Sequence, residues 1–275
     1  MTESKTVLIT GSSSGIGRAA AHYFSAKGWQ VAASMRSPEK ETELTKLAGV
    51  HCLRLDVTDT HSIPHAVAEV RKRFGRIDVL VNNAGYGLVG PFENMTPEQI
   101  RRQFDTNVFG LMETARAVLP VMRESGGGII INVASIGGRV TFPFYSLYHA
   151  SKWAVEGFSE ALRYELDPLG VTVKIVEPGP IKTDFYQRSA EQVMNARDAG
   201  YGACSERASR RMERFVAIFA SAPEAVARVI YRAATDGKSK LRYPAGWAAY
   251  PILLGRRFLP YGFFQGLVRW VTLGR

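Results

Sequence analysis

The chain is expected to be α/β, a doubly wound parallel sheet of Rossmann type in a single domain with a lid and a C-terminal extension. Two patterns carry that expectation. Short, continuously apolar runs alternate with helical stretches from residue 6 onward, as in parallel strands covered on both faces. The polar or glycine-bearing positions Gly11, Asn82, Ser135 and Pro178 fall just after the first, fourth, fifth and sixth of these runs. Open α/β sheets bind their ligands beyond the carboxyl ends of the strands.

The elements follow in order. Residues 6–10 form a first strand, and 18–27 a helix with Ala19, Tyr23 and Phe24 as apolar positions. Residues 31–35 make a second strand, after which Pro38 opens a polar helix running to Leu47. A third strand covers 52–55, an amphipathic helix 63–74, and a fourth strand 79–81, leading into Asn82-Asn83-Ala84-Gly85. Thr96-Pro97-Glu98 reads as an N-cap with proline at the first helical position, opening a helix to Val118 or beyond. Gly126-Gly127-Gly128 turns into a fifth strand over 129–133. A helix over 147–166 and a sixth strand over 171–176 follow, and right-handed crossovers close the doubly wound order.

Residues 180–215 break the alternation and read as a lid over the site, with helical pieces at 191–196 and 206–219. A core helix over 223–235 comes next. We therefore divide the chain into a catalytic domain, residues 1–242, and an extension, residues 243–275, packed on it. The extension is rich in aromatics, and Tyr261, Phe264, Leu267, Val268 and Val271 share one helical face. Core packing, a subunit contact or a pocket wall suits it. Shallow insertion at a membrane interface, aided by Arg256, Arg257 and Arg269, is the alternative.

The chain has 275 residues, 46% of them hydrophobic, enough for one sizeable core. The net charge of +10 is concentrated: residues 188–275 hold 15 Lys and Arg against 6 Asp and Glu. This is either a solvated face or a surface for an anionic partner, a membrane or an acidic substrate. Nucleic acid is disfavoured, because no binding motif accompanies the charge. Two cysteines and scattered histidines make neither a disulfide framework nor a metal site. The start, MTESKTVLIT, shows no cationic and apolar leader, and no apolar run reaches about 20 residues. A cytoplasmic protein of a reducing compartment is expected.

The chemistry lies in two motifs. Gly11, Gly15 and Gly17 follow a strand and open a helix, with Ser12, Ser14 and Ile16 between them. The first glycine permits the tight turn, and the others let backbone and helix approach a pyrophosphate at the positive helix end. The spacing differs from G-x-G-x-x-G, and no P-loop lysine is present. At the end of the second strand stands Arg36 instead of an acid. A guanidinium there suits a 2′-phosphate, so NADP(H) is expected over NAD(H), with Ser12 or Ser14 donating from the loop. Asp56, followed by Val57, is placed to meet the adenine amino group.

The second motif is Tyr148 and Lys152, one helical turn apart, with Ser135 thirteen residues upstream. A phenol holds its proton to about pH 10. A lysine at i+4 sets a cation beside it, which favours the phenolate and permits proton exchange with a substrate oxygen near neutral pH.

Thr10-Gly11-x-x-x-Gly15-x-Gly17, Asp56-Val57, Asn82-Asn83-Ala84-Gly85, Asn107, Ser135, Tyr148-x-x-x-Lys152 and Pro178-Gly179-x-x-x-Thr183 occur in this order. Together they resemble the short-chain dehydrogenase/reductase family over residues 5 to about 240. The resemblance implies Tyr148 as general acid in reduction and general base in oxidation. It implies Lys152 on the nicotinamide ribose, Ser135 on the substrate oxygen, and Asn107 holding a relay water by disturbing helix geometry. Asn82 and Gly85 would line the adenosine side, Ile181 and Thr183 would fix the nicotinamide carboxamide, and Asn83, Ala84, Pro178 and Gly179 would also bind the cofactor. His149, after the tyrosine, is less typical of the family and is expected to leave the chemistry unchanged.

The stretches Arg36-Ser37-Pro38, 92–96 and 158–162 are similar to the branch acting on steroids, retinoids and lipid-derived ketones. An enzyme interconverting a secondary alcohol and a ketone or aldehyde on a lipophilic substrate is therefore expected, as a homodimer or homotetramer. The alternatives are a catalytically silent NADP(H)-sensing protein and a sugar nucleotide epimerase. The intact tyrosine and lysine disfavour the first. Glycine spacing and the lack of a large substrate domain disfavour the second.

Overall fold

The computed structural model describes residues 4–182, 190–193 and 200–274. Seven strands form the central sheet: β1 (Thr6–Ile9), β2 (Gln30–Met35), β3 (Val50–Arg54), β4 (Val79–Asn82), β6 (Gly128–Val133), β7 (Val171–Pro178) and β9 (Arg242–Ala245). Their order is β3-β2-β1-β4-β6-β7-β9, with every neighbouring pair parallel. The order reverses between β1 and β4, so the crevice expected of a doubly wound sheet opens at their carboxyl ends.

Period-two alternation divides the core. Val7 and Ile9 of β1 face one layer with Phe24 of α1 (Gly15–Ala26) and Val226 and Ile230 of α7 (Pro223–Thr235). Leu8 faces the other layer, with Val70 of α2 (Ser62–Phe74), Met122 of α4 (Gly110–Glu124) and Leu162 of α5 (Ser146–Leu166). Both faces of the sheet are thereby dry, which is why its strands read as unbroken apolar runs.

Several expectations are corrected. The helix over 38–47 is instead two 3₁₀ turns, Pro38–Lys40 and Leu44–Lys46. Between them the Glu41 carboxylate turns back on the chain, accepting from the Glu43 amide at 2.9 Å and the Leu44 amide at 3.0 Å. Side-chain acceptors of this kind compete with the helical ladder, and Arg18 pairs with the same carboxylate. The helix from Thr96 is three pieces. α3 (Pro97–Phe104) starts in a capping box of Thr96 and Gln99, a π-helical stretch spans Asp105–Phe109, and α4 follows.

In the lid, β8 (Ala190–Gln192) pairs in parallel with β5 (Gly87–Val89). Residues 191 and 192 are therefore extended, not helical, and 194–196 lie outside the described residues. The second lid helix, α6, covers Gly202–Phe219.

The strand β9 is absent from the sequence reading. It has four residues including Pro244, a residue that sheets accept at an edge, and β9 is the edge. It straddles residue 242. Beyond it come α8 (Ala249–Phe258) and α9 (Tyr261–Leu273). The buried stripe of α9 is Phe264, Val268 and Thr272, whereas Tyr261 and Leu267 are exposed, so the expected face is rotated. Arg211 of α6 donates from Nε to the Val271 carbonyl and from an Nη to the Trp270 carbonyl, each at 2.8 Å. Both carbonyls lie in the last turn of α9, and that of Trp270 also accepts the Gly274 amide at 3.1 Å. Among the described residues no helix is long and apolar enough to cross a membrane.

One charge is built into the core. Lys174 of β7 is 1% exposed, and its Nζ donates to the Ala233 carbonyl at 2.7 Å and to Asp236 at 2.8 Å. Asp236 also accepts from the Tyr243 hydroxyl of β9 at 2.8 Å, so one carboxylate ties β7, α7 and β9 together. Replacing Lys174→Ala is expected to cost about 3–5 kcal/mol, the range for a broken buried pair. Urea unfolding measures it, and a loss below about 1 kcal/mol, typical of an exposed pair, would contradict the role given to this ammonium.

Candidate active site

The glycine loop joins β1 to α1. Gly11 has φ +69°, and a methyl there would stand 2.9 Å from the Ala84 Cα. A methyl at Gly17 would lie 2.3 Å from the Gly11 carbonyl oxygen and 2.6 Å from Asn83 Nδ2. Only hydrogen fits at either position, and the backbone forms a cradle open to a phosphate at the first turn of α1. The cradle is fastened to the end of β4. Thr10 Oγ1 accepts the amides of Asn83 and Ala84, both at 3.0 Å, and Asn83 Nδ2 donates to the Thr10 and Gly11 carbonyls at 2.9 and 3.2 Å.

The proton-handling residues come from β6 and α5. Lys152 is buried, and its Nζ donates to the Val133 carbonyl at the end of β6 at 2.9 Å. The ammonium stands 6.0 Å from the Tyr148 ring centroid, one turn back on α5. Ser135, two residues beyond Val133, accepts the Gly137 amide on Oγ at 3.0 Å. Asn107 sits inside the π-helical stretch, where an i→i+5 turn interrupts the regular ladder. Its side chain is fully engaged: Oδ1 accepts the Tyr86 amide at 2.9 Å, and Nδ2 donates to the Tyr86 carbonyl at 2.8 Å and to Ser151 Oγ at 3.0 Å. A methyl at Gly85 would stand 3.1 Å from Asn107 Oδ1 and 3.7 Å from Lys152 Nζ, so the glycine lets these two groups come close.

One cleft of about 210 Å³ brings together Gly11, Ser14, Gly15, Ile16, Asn83, Gly85, Ser135, Tyr148, Lys152, Pro178, Gly179 and Ile181. Gly17, Ala84 and Asn107 support it from behind. Arg36, Asp56 and Val57 lie outside it at the ends of β2 and β3, where Arg36 is exposed and Asp56 accepts the amide and hydroxyl of Thr58. Two expected contacts are turned away. The Ser12 hydroxyl donates inward to the Ile9 carbonyl at 3.0 Å, which leaves Ser14 as the loop hydroxyl in the cleft. Asn82 is buried between strands, donating to Asn132 Oδ1 at 3.0 Å and not lining the adenosine side. Thr183 lies outside the described residues.

The chain matches the family model described as short chain dehydrogenase over residues 5–194. It belongs to the short-chain dehydrogenase/reductase family. An uncharacterized oxidoreductase of Bacillus subtilis, YusZ, is 38% identical over 275 residues, covering 96% of this chain and 97% of that protein. The crystal structure of a short-chain dehydrogenase from Streptomyces avermitilis superposes with a TM-score of 0.84 at 35% identity, covering 100% of this chain and 98% of that one. A short chain dehydrogenase from Burkholderia cenocepacia in complex with NADP has a TM-score of 0.76 at 26% identity, covering 96% and 98%. The protein is an enzyme of this type, an oxidoreductase that binds a nicotinamide dinucleotide, and the glycine cradle fits that group.

In this dehydrogenase two features near the tyrosine escape sequence reasoning. His149 is part of the cleft lining. It is 4% exposed, its Nε2 accepts the Phe142 amide at 2.9 Å, and its Nδ1–H therefore donates to the Gly137 carbonyl at 2.9 Å. Burial lowers its pKa to about 4, so the ring is neutral and ties the loop after Ser135 to the start of α5. The only signal in the sequence is an unusual residue beside Tyr148.

The second feature is a carboxyl pair behind Lys152. Glu156, one further turn along α5, is held by Arg242 at 2.9 Å, and Glu177 of β7 by Arg139 at 3.2 Å. Each acid keeps one buried oxygen without a partner, Glu156 Oε1 and Glu177 Oε2. Burial, then the Glu177 charge, raises Glu156 to about 7 against the pull of Arg242 and Arg139. Burial lowers Lys152 to about 8, and the Glu156 charge offsets part of that drop.

The sign of the resulting pH dependence follows from linkage. Between its ordinary value of 4.5 and about 7, Glu156 holds a proton in the native chain that the unfolded chain lacks. The stabilisation is complete below the unfolded value and lost as pH rises through the folded one. Glu156→Gln carries no such proton, so its stability relative to the parent should improve from pH 5 to about pH 7 and level off toward pH 8. Urea unfolding across that window tests it, and a difference independent of pH would remove Glu156 as a strained acid.

Proposed function

We propose that this short-chain dehydrogenase interconverts a secondary alcohol and a ketone or aldehyde with NADP(H), on a lipophilic substrate. One observation carries the reading: the buried Lys152 ammonium, fixed on the Val133 carbonyl, stands a turn from Tyr148 in the cleft that also holds Ser135 and the glycine loop. The cation lowers the cost of the phenolate at Tyr148, so the phenol gives its proton to the substrate oxygen in reduction and the phenolate takes one in oxidation. Ser135 accepts the Gly137 amide on its oxygen, so its own proton is available to donate to the substrate oxygen, stabilising charge that develops there. The bound nicotinamide supplies or takes up the hydride. Gly11, Ser14, Gly15, Ile16 and Asn83 would hold its pyrophosphate side, and Pro178, Gly179 and Ile181 its carboxamide side.

NADP(H) is supported by Arg36, an exposed guanidinium with no ion-pair partner among the described residues at the end of β2, and by the NADP in the Burkholderia relative. A lipophilic substrate is supported by Phe142, Tyr145, Met212, Phe215 and Val216 on the outer wall of the cleft. A homodimer or homotetramer in the cytoplasm belongs to the same reading. Exposed Phe109, Trp153 and Tyr164 suit a subunit contact, and two free cysteines suit a reducing compartment.

In steady-state assays Tyr148→Phe should lower turnover by about 10²- to 10⁴-fold, the usual worth of a general acid, with NADPH binding near that of the parent. Retained turnover would sink the mechanism. Arg36→Ala should raise KM for NADPH about tenfold or more, the loss of a charge-assisted contact, and leave KM for NADH nearly unchanged. Equal changes for both cofactors would exclude Arg36 from the choice.

A further inference from the structure

A second cavity, of about 250 Å³, lies beside the catalytic cleft. It is enclosed by the loop of residues 143–145, the lid helix α6, the ends of β5 and β8, and Thr272 in the last turn of α9. Tyr145, Met212 and Val216 line both cavities, so the two share a wall. Each alone is smaller than the roughly 300–1,000 Å³ of ordinary small-molecule pockets, whereas joined they fall within that range.

The walls suit hydrocarbon. Val89, Pro143, Phe144, Ala208, Met212 and Val216 form the interior, while Ser209 and Glu213, hydrogen-bonded to each other at 3.2 Å, stand at the solvent side. The loop that lines the second cavity is also strained, one residue before Tyr145. Phe144 has φ +67°, the one positive φ at a non-glycine among the described residues, and for a bulky side chain this is a costly conformation. The Gly90 amide holds it, donating to the Phe144 carbonyl at 2.8 Å. Such strain gathers at ligand clamps. At the far end, the Arg211 contacts to the Trp270 and Val271 carbonyls hold the last turn of α9 against α6.

Space decides what the second cavity takes. The dinucleotide, on the glycine loop and the 178–181 turn, would share the first cavity with the reacting carbon and its oxygen at Ser135 and Tyr148. A longer substrate that extends past Tyr145, Met212 and Val216 enters the second cavity, because these residues border both. A methionine yields to a passing chain, whereas a rigid fused-ring body needs one unbroken slot. We propose that the second cavity is an alkyl-chain site, and that the substrate is a ketone or secondary alcohol carrying a flexible, unbranched hydrocarbon chain. This rests on the oxidoreductase reading above and narrows it.

The test uses the full-length enzyme, NADPH, and 2-alkanones from four to twelve carbons. The value of kcat/KM should rise about two- to fourfold per methylene, the worth of a buried CH₂, and level off once the cavity is full. The fused-ring ketone 2-decalone should be at least about tenfold poorer than 2-decanone, the same factor as one or two lost methylenes. Ala208→Phe, which fills the buried interior, should abolish the gain with chain length. Ala217→Trp, at the exposed rim of α6, should do the same and does not disturb the core if the first variant misfolds. A flat chain-length series, 2-decalone equal to or better than 2-decanone, or an unchanged length gain in a folded variant would overturn the alkyl-chain site while the oxidoreductase reading stands. Failure to turn over any carbonyl or alcohol would remove that reading and this inference with it.

Discussion

The site depends on one buried cation. An ammonium taken out of water is tolerated only where hydrogen bonds replace its hydration, and Lys152 has the Val133 carbonyl at the carboxyl end of β6. That contact sets α5 against the end of β6 at the site. Ser135 lies two residues beyond the carbonyl, just past the end of that strand, and Tyr148 one turn before the lysine on the same helix. A shift of α5 along β6 would strand the charge, so the geometry that keeps the ammonium satisfied also keeps the phenol and the serine at a common opening. His149 adds a second, uncharged tie between the same two segments, through the Gly137 carbonyl and the Phe142 amide.

The cation is balanced at longer range by acids that are themselves constrained. Glu156 and Glu177 are buried close together, each held by one arginine and each with one orphan oxygen. Two carboxyl groups so placed resist double ionisation, and the proton that one of them retains sets how much negative charge Lys152 feels. The titration of the lysine and that of the pair are therefore coupled properties of the α5 and β7 faces.

Much of this was legible in the residues. The dry strands β1, β4, β6 and β7 read as apolar runs because both faces of the sheet are covered, and the glycine loop and Tyr148/Lys152 spacing identify the site because backbone clearance and helix pitch admit few residue types. What escaped depended on partners distant in sequence. The 38–47 stretch has helical composition, yet Glu41 is claimed by Arg18 and by nearby amides. The edge strand β9 is too short, and its proline too discouraging, for periodicity to register it, and only its pairing with β7 makes it a strand. Asn82 and Ser12 sit in the right motif but face inward, a choice made by Asn132 and by the Ile9 carbonyl. The roles of His149 and of the Glu156–Glu177 pair arise from loops and strands brought together by folding, and no local pattern marks them.

The fastening of Thr10 and Asn83 across β1 and β4 has a consequence for recognition. Because the phosphate cradle is already rigid, little freedom is surrendered when the dinucleotide docks, and preorganisation of this sort shows up directly as affinity. Thr10, which does not line the cleft, holds the cradle through hydrogen bonds made entirely within the polypeptide, so a substitution there would resemble a contact mutation while acting as a slackened hinge.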